Sequence, residues 1–193
     1  QVAVEADKAV HALSLDECGH DALTLTDRGV RSASALIRLL SKTRREQIHV
    51  SEMYLGLECG RSDPSSGLVA NPLLGAIADR LIKLGGTAAI GETTEWLGAD
   101  HLLAERAVNQ TVAKAIRSAT ARRRQMASDA GVDLLGNNPG PTNIAAGLST
   151  IEEKSLGNIA KSGSAPIQSV LGYGESPPGK GMYLMDAPAY APE

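Results

Sequence analysis

Apolar positions along the chain fall into runs whose period changes from segment to segment, and the period predicts the element. Val2 to Leu15 reads as a helix running into a short strand over Val10 to Leu15, followed by a polar loop, Asp16 to Asp21. Leu23 to Arg45 carries Val30, Ala33, Leu36, Ile37 and Leu40 at helical spacing and ends in Lys42, Arg44 and Arg45, the charge that suits a helix C-terminus. Val50 to Leu57 is the first clear strand. Asn71 to Leu84 reads as a helix with Leu74, Ile77, Ala78 and Leu81 on one face, Pro72 in its first turn and Gly85-Gly86 at its end. Thr87 to Ile90 is a second strand, discharging into Gly91-Glu-Thr-Thr-Glu-Trp96. Ala99 to Ala130 is one long, charged, helical segment, and Gly136 to Asn143 a loop. Ile151 to Ala160 is a helix opened by Ser149 or Thr150, with Glu152 and Glu153 in its first turn. Gly172 to Gly181 is a Gly/Pro-rich connector, and Gly181 to Met185 a last strand ending at Asp186.

Strands alternating with helices predict an α/β fold with a mostly parallel sheet flanked by helices. In such a sheet ligands sit outside the carboxyl ends of the strands. Three segments therefore carry the candidate chemistry. The first runs from Glu58 through Cys59 and Arg61 to Ser62 and Asp63; the second holds Glu92 and Glu95, with His101 a little later; the third is Asp186.

Composition narrows the options. Aromatic residues make up 3% of the chain, with no Phe, so the core must be built from Leu, Ile, Val and Ala. A net charge of -3 gives no electrostatic case for nucleic acid or an anionic membrane. The one basic cluster, Arg122-Arg123-Arg124, reads as the solvated last turn of a helix. No apolar run reaches the roughly 18 residues of a membrane span. Two cysteines do not make a disulfide framework, and a reducing, cytoplasmic setting is expected. The chain opens at Gln1 without Met, which reads as a fragment or a processed piece.

Carboxylate, imidazole and thiolate together suit a divalent transition metal, which makes Cys59, Glu92, Glu95 and His101 candidate ligands. The competing readings are that Glu92 and Glu95 cap a helix N-terminus, that His101 lies on the surface and that Cys59 is a small buried hydrophobe. Arg61 could grip a carboxylate bidentately or be an ordinary surface residue. The Asn137 to Asn143 loop could cradle acidic or polyhydroxy groups or simply connect. Glu152, Glu153 and Lys154 offer an acid/base pair or a helix salt link. The glycine pairs at 172/174 and 179/181 lack the third glycine of a dinucleotide fingerprint.

Several segments, taken in order, resemble the altronate/galactarate dehydratase family, which also includes the large subunit of (2R)-sulfolactate sulfo-lyase. They are Leu55 to Asp63 (LGLECGRSD) with Ser66-Gly and Ala70-Asn-Pro72, Gly91 to Glu95 (GETTE), Gly98 to Leu103 (GADHLL), Asn138-Pro139, Ala146 to Leu148, Thr150 to Gly157 (TIEEKSLG) and Met185-Asp186. The resemblance implies a lyase that abstracts a proton beside a carboxylate and expels water, or sulfite, to leave a 2-keto acid. It implies a Rossmann-like core, a divalent metal (iron(II), with manganese as the alternative) and a small hydroxy-acid substrate. A homodimer is expected, together with a small N-terminal domain or subunit of the same enzyme. On this reading 1–48 ends a middle domain and 49–193 is the first half of a C-terminal catalytic domain. Cys59, Glu92, Glu95 and His101 are then metal candidates; Arg61, Ser62, Asn138 and Thr142 substrate contacts; and Lys154 or Asp186 the base. Arg61 replaces a glycine usual in the family, and Pro141-Thr-Asn-Ile144 lacks the lysine frequent after the Asn-Pro loop of sugar-acid dehydratases, which keeps a sulfonate in view as substrate. The remaining alternative is a non-catalytic binding or dimerisation fragment.

Overall fold

The computed structural model describes residues 9–134 and 137–188. The chain divides into two units, Gln1–Gln47 and Ile48–Glu193. In the first, a single 3-10 turn at Asp16–Cys18 precedes helix α1, Ala22–Leu40. Asp21 caps α1 by accepting bonds from the backbone N–H groups of Leu23 and Thr24, at 3.0 and 3.2 Å. The strand expected over Val10 to Leu15 is absent: these residues are irregular and mostly exposed, with no neighbouring strand to pair them. The helix expected to begin near Val2 falls largely outside the described residues.

The second unit is an α/β domain. Its four strands are β1, Tyr54–Leu57; β2, Thr87–Ile90; β3, Ile167–Gly172; and β4, Gly181–Asp186. They lie in the order β1-β2-β4-β3, and every pairing is parallel. The α/β class and the parallel sheet are as the sequence predicts. The central strands are buried along almost their whole length, and Ala88 and Ala89 of β2 are fully buried. That is the pattern of a parallel sheet covered on both faces. Helices α2 (Asn71–Lys83), α3 (Asp100–Glu105), α4 (Gln110–Asp129), α5 (Pro141–Ala145) and α6 (Ile151–Ile159) complete the unit. Leu57, Ile90, Trp96, Leu103, Ile116, Ile167, Met182 and Leu184 form the main core.

Five further sequence expectations need correction. Pro141 to Asn143, expected in a loop, open helix α5, where Pro141 suits the first turn. Strand β3 has no counterpart in the prediction: Gln168 and Ser169 interrupt its apolar pattern, and its register against β4 shifts between Ile167 and Ser169. The long helix over Ala99 to Ala130 is two helices, because Asn109 caps α4 from its side chain, 3.0 Å from the Val112 N–H. Residues 50–52 form a 3-10 turn ahead of a shorter β1. Ile77, placed on the inner face of α2, is 46% exposed.

One close approach fixes the lower half of the site. A Cβ built on Gly75 of α2 would lie 2.3 Å from the carbonyl oxygen of Ala160 and 2.9 Å from the nitrogen of Gly163, both backbone. Only glycine lets α2 meet the 3-10 turn Ala160–Ser162 that extends α6.

Candidate active site

Parallel register brings the loops after β1, β2 and β4 to one edge of the sheet. The loop after β2 turns at once: Glu92 adopts φ 60°, ψ 67°, a left-handed conformation uncommon for a non-glycine residue. Its carboxylate is buried and accepts the backbone N–H of Cys59, which ties the β1 loop to the β2 loop. The indole of Trp96 pins the same loop from below by donating to the carbonyl of Gly91 at 3.0 Å.

Glu95 and Lys154 form a buried ion pair. Nζ of Lys154 lies 2.8 Å from Oε1 of Glu95, with side chains 8% and 6% exposed. The same ammonium donates to Oδ1 of Asn138 at 2.6 Å, and Asn138 in turn donates to the carbonyl of Thr94 at 2.9 Å. The second carboxylate oxygen of Glu95 is buried without a hydrogen-bond partner, as are the Asn158 side-chain carbonyl and the Ser155 hydroxyl. Buried polar atoms left unpaired are costly.

Helix α6 delivers Lys154. Thr150 caps it and Glu153 reaches back, completing the capping box. Glu153 accepts from the Ser149 hydroxyl and from the N–H groups of Ser149 and Thr150, which together hold its carboxyl below the usual range. It is therefore a structural cap, whereas Lys154 beside it is buried.

Cys59 lies over this cluster, its Sγ 3.3 Å from the hydroxyl of Ser62. Burial first, then the negative charge of Glu95, pushes its thiol pKa up; the Ser62 hydrogen bond and the charge of Lys161 act the other way. The side-chain amide of Asn143, in α5, donates to the Ser62 carbonyl at 2.7 Å, so the short helix after the Asn-Pro turn braces the β1 loop. Ser62, Asp63, Asn71, Glu153 and Lys154 line a cavity of about 500 Å³ together with Leu68, Leu148 and Leu156. A cavity of about 610 Å³ is lined by Glu52, Tyr54, Thr87 and the Gly174 to Lys180 segment. It includes the amino-terminal residues of β1 and β2 and none of the candidate residues, so the smaller one is the relevant site.

The remaining candidates fall elsewhere. Asp186 accepts from Thr93 at 2.7 Å, Arg122 at 2.6 Å and Arg123 at 3.0 Å. Burial opposes its ionisation, but the hydrogen bonds from Arg122 and Thr93 and the charge of Arg123 outweigh it and hold the carboxyl below the usual range. A carboxylate so committed is a weak base. The basic cluster at the end of α4 is thus not simply a solvated turn: two of its arginines clamp Asp186, while Arg124 lies 3.9 Å from Asp100. Arg61, His101 and Thr142 are exposed, and His101 stands on α3 away from the buried cluster.

The four candidate ligands Cys59, Glu92, Glu95 and His101 do not assemble. Among the described residues no group of three or more His, Cys, Asp and Glu side chains is arranged to hold a metal ion. His101 is exposed, and one oxygen of Glu95 is taken by Lys154. The described residues thus fall short of a divalent-metal site.

Sequence reasoning missed Asn158 and Lys161, named Asn143 only within the Asn137 to Asn143 loop, and took Arg122 and Arg123 for a solvated turn. The signal for Asn158 and Lys161 was available. Lys154, Asn158 and Lys161 are four and three residues apart and so share a helix face; an amphipathic reading puts such polar residues outside, whereas here all three are buried.

Comparison with known proteins adds an independent line. Residues 50–193 match the family model described as D-galactarate/altronate dehydratase, C-terminal. The chain is 42% identical over 159 residues to an altronate dehydratase of Bacillus subtilis, covering 75% of this chain and 29% of the relative. It is 38% identical over 165 residues to a (2R)-sulfolactate sulfo-lyase subunit beta of Chromohalobacter salexigens, covering 84% and 42%. It is 37% identical over 153 residues to a galactarate dehydratase (L-threo-forming) of Escherichia coli, covering 79% and 29%. The chain thus spans well under half the length of each of these relatives. No helix among the described residues is long and apolar enough to cross a membrane.

Proposed function

The chain belongs to the D-galactarate/altronate dehydratase family, and we propose that it contributes the proton-handling half of a lyase site acting on a small hydroxy acid. The observation that carries this reading is the buried Glu95–Lys154 pair, held by Asn138, whose lysine lines the cavity beside Ser62. Burial of an ion pair is a poor route to stability alone, whereas a positioned acid/base pair in a dry cleft is what elimination needs. The pair takes the proton from the carbon beside the substrate carboxylate. The C–H electrons become the new C=C bond, and the neighbouring hydroxyl leaves, forming water with the proton the pair returns. The resulting enol tautomerises to a 2-keto-3-deoxy acid. The unpaired oxygen of Glu95 and the unpaired carbonyl of Asn158 are acceptors suited to the substrate's hydroxyl groups.

The second reading keeps the same residues and changes the leaving group to sulfite. It is favoured by the sulfo-lyase subunit, of which the chain covers a larger share than of the two dehydratases named above. The test is to incubate the protein with D-altronate, D-galactarate and (2R)-sulfolactate and to measure 2-keto acid and sulfite separately. Keto-acid formation from a sugar acid supports the dehydratase, and sulfite release the sulfo-lyase. Product from none of the three refutes both.

A further inference from the structure

Among the described residues Lys154 has two side-chain partners and Lys161 has none. The Lys161 side chain is 2% exposed, and its Nζ makes one hydrogen bond, 2.9 Å to the backbone carbonyl of Glu58. Among the described residues no carboxylate lies within ion-pair distance of it. An ammonium carries three donors, and a buried cation with a single neutral hydrogen-bond partner is expensive. The neutral carbonyl of Glu58 offsets little of that cost.

Its position explains what could offset the rest. Lys154, Asn158 and Lys161 form one buried polar stripe, at 8%, 2% and 2% exposure, along α6 and the turn that extends it. Cys59 lies near enough to feel the charge of Lys161. Ser62, 3.3 Å from the Cys59 sulfur, lines the same cavity as Lys154. The Glu58 carbonyl that this ammonium holds directly follows β1, four residues before the Ser62 that lines the cavity. We propose that Lys161 is the anion anchor of the site: its ammonium binds the carboxylate of the hydroxy acid beside the Glu95–Lys154 pair. The inference rests on the lyase reading above and adds to it the group that orients the substrate. The incoming carboxylate exchanges a single neutral hydrogen bond for charge-assisted ones. Lys161 touches no bond that breaks, so its loss should act on binding.

The experiment is calorimetric titration of D-altronate, D-galactarate and (2R)-sulfolactate into the wild-type protein, Lys161→Gln and Lys161→Arg, with circular dichroism to establish the folded state. Charge-assisted hydrogen bonds predict that Gln weakens the acid the wild type binds by between about 10- and 100-fold. Arg should recover part of that affinity, and in turnover KM should rise while kcat holds. Equal affinity in wild type and a folded Gln variant overturns the anchor and leaves the lyase reading standing. If the Gln variant does not fold, the Arg variant decides: retained affinity supports the anchor, and a folded Arg variant that has lost all binding contradicts it. Wild type that binds none of the three acids overturns both.

Discussion

The Glu95–Lys154 pair makes a quantitative prediction about stability. Replacing Lys154 with Met removes the one partner that the Glu95 carboxylate has among the described residues, since its second oxygen already lacks one. A charge at 4% residue exposure is then left buried with no compensation. Breaking a buried ion pair from one side costs roughly 3–5 kcal/mol, and a domain of this size has about 5–15 kcal/mol in all. The expected fall in melting temperature is about 10 °C. Removing both charges, in Lys154→Met with Glu95→Gln, should recover much of that loss, because the uncompensated charge disappears. Urea denaturation of the two single variants and the double variant closes the cycle, with an expected coupling of about 2 kcal/mol. Losses below about 1 kcal/mol in each single variant, adding without coupling, would show that the pair is solvated and that the cleft is not the dry one described.

Other consequences follow from the same geometry. Gly75→Ala places a methyl group against the Ala160 carbonyl and the Gly163 backbone; overpacking of this kind costs about 1–3 kcal/mol, and the displaced turn should weaken substrate binding through Lys161, both measurable by denaturation and titration. Asp186 has a folded pKa held below its ordinary value of 3.8, so its contribution is complete above the unfolded value and is lost as pH falls through the folded one. The melting-temperature gap between wild type and Asp186→Asn should therefore be constant near neutrality and close in acid; a gap that widens as pH falls would contradict the clamp. Cys59, whose thiol is pushed up by burial and by Glu95, should react slowly with iodoacetamide at neutral pH and faster as pH rises, read by mass spectrometry of its peptide. Rapid neutral alkylation would mean an activated thiolate.

How much of this could be read from residues alone depended on whether local pattern or tertiary contact decides each element. Helix α2 carries its own signals in Pro72 and the Gly85-Gly86 stop, and α6 in the Thr150 cap. Strand β2 is a short apolar run between turn residues, and it forms where the pattern places it. Strand β3 was hidden because Gln168 and Ser169 break the alternation, so its identity comes from pairing with β4. The split of the long helical segment was legible in Asn109, a strong N-cap residue, had it been weighed against the helical period on both sides. At the site, the loops after β1 and β2 were found because strand ends in parallel sheets gather ligand groups. Which side chains meet there was not legible. Glu153 and Lys154 are adjacent in sequence yet serve opposite ends, one capping a helix and one buried, because the helix turns about 100° between them. Asp186 looked like a base and is a clamp, a distinction that depends on two arginines more than sixty residues earlier.

The measurement that bears most directly on the account is turnover of the preferred hydroxy acid by the wild-type protein and by Lys154→Met, at matched folded fraction. The account predicts that kcat falls at least about 100-fold, the upper part of the range for losing a general acid/base group, with KM changed little because Lys161 still holds the carboxylate. Turnover within a few-fold of wild type would contradict it and place the chemistry on residues other than the buried pair.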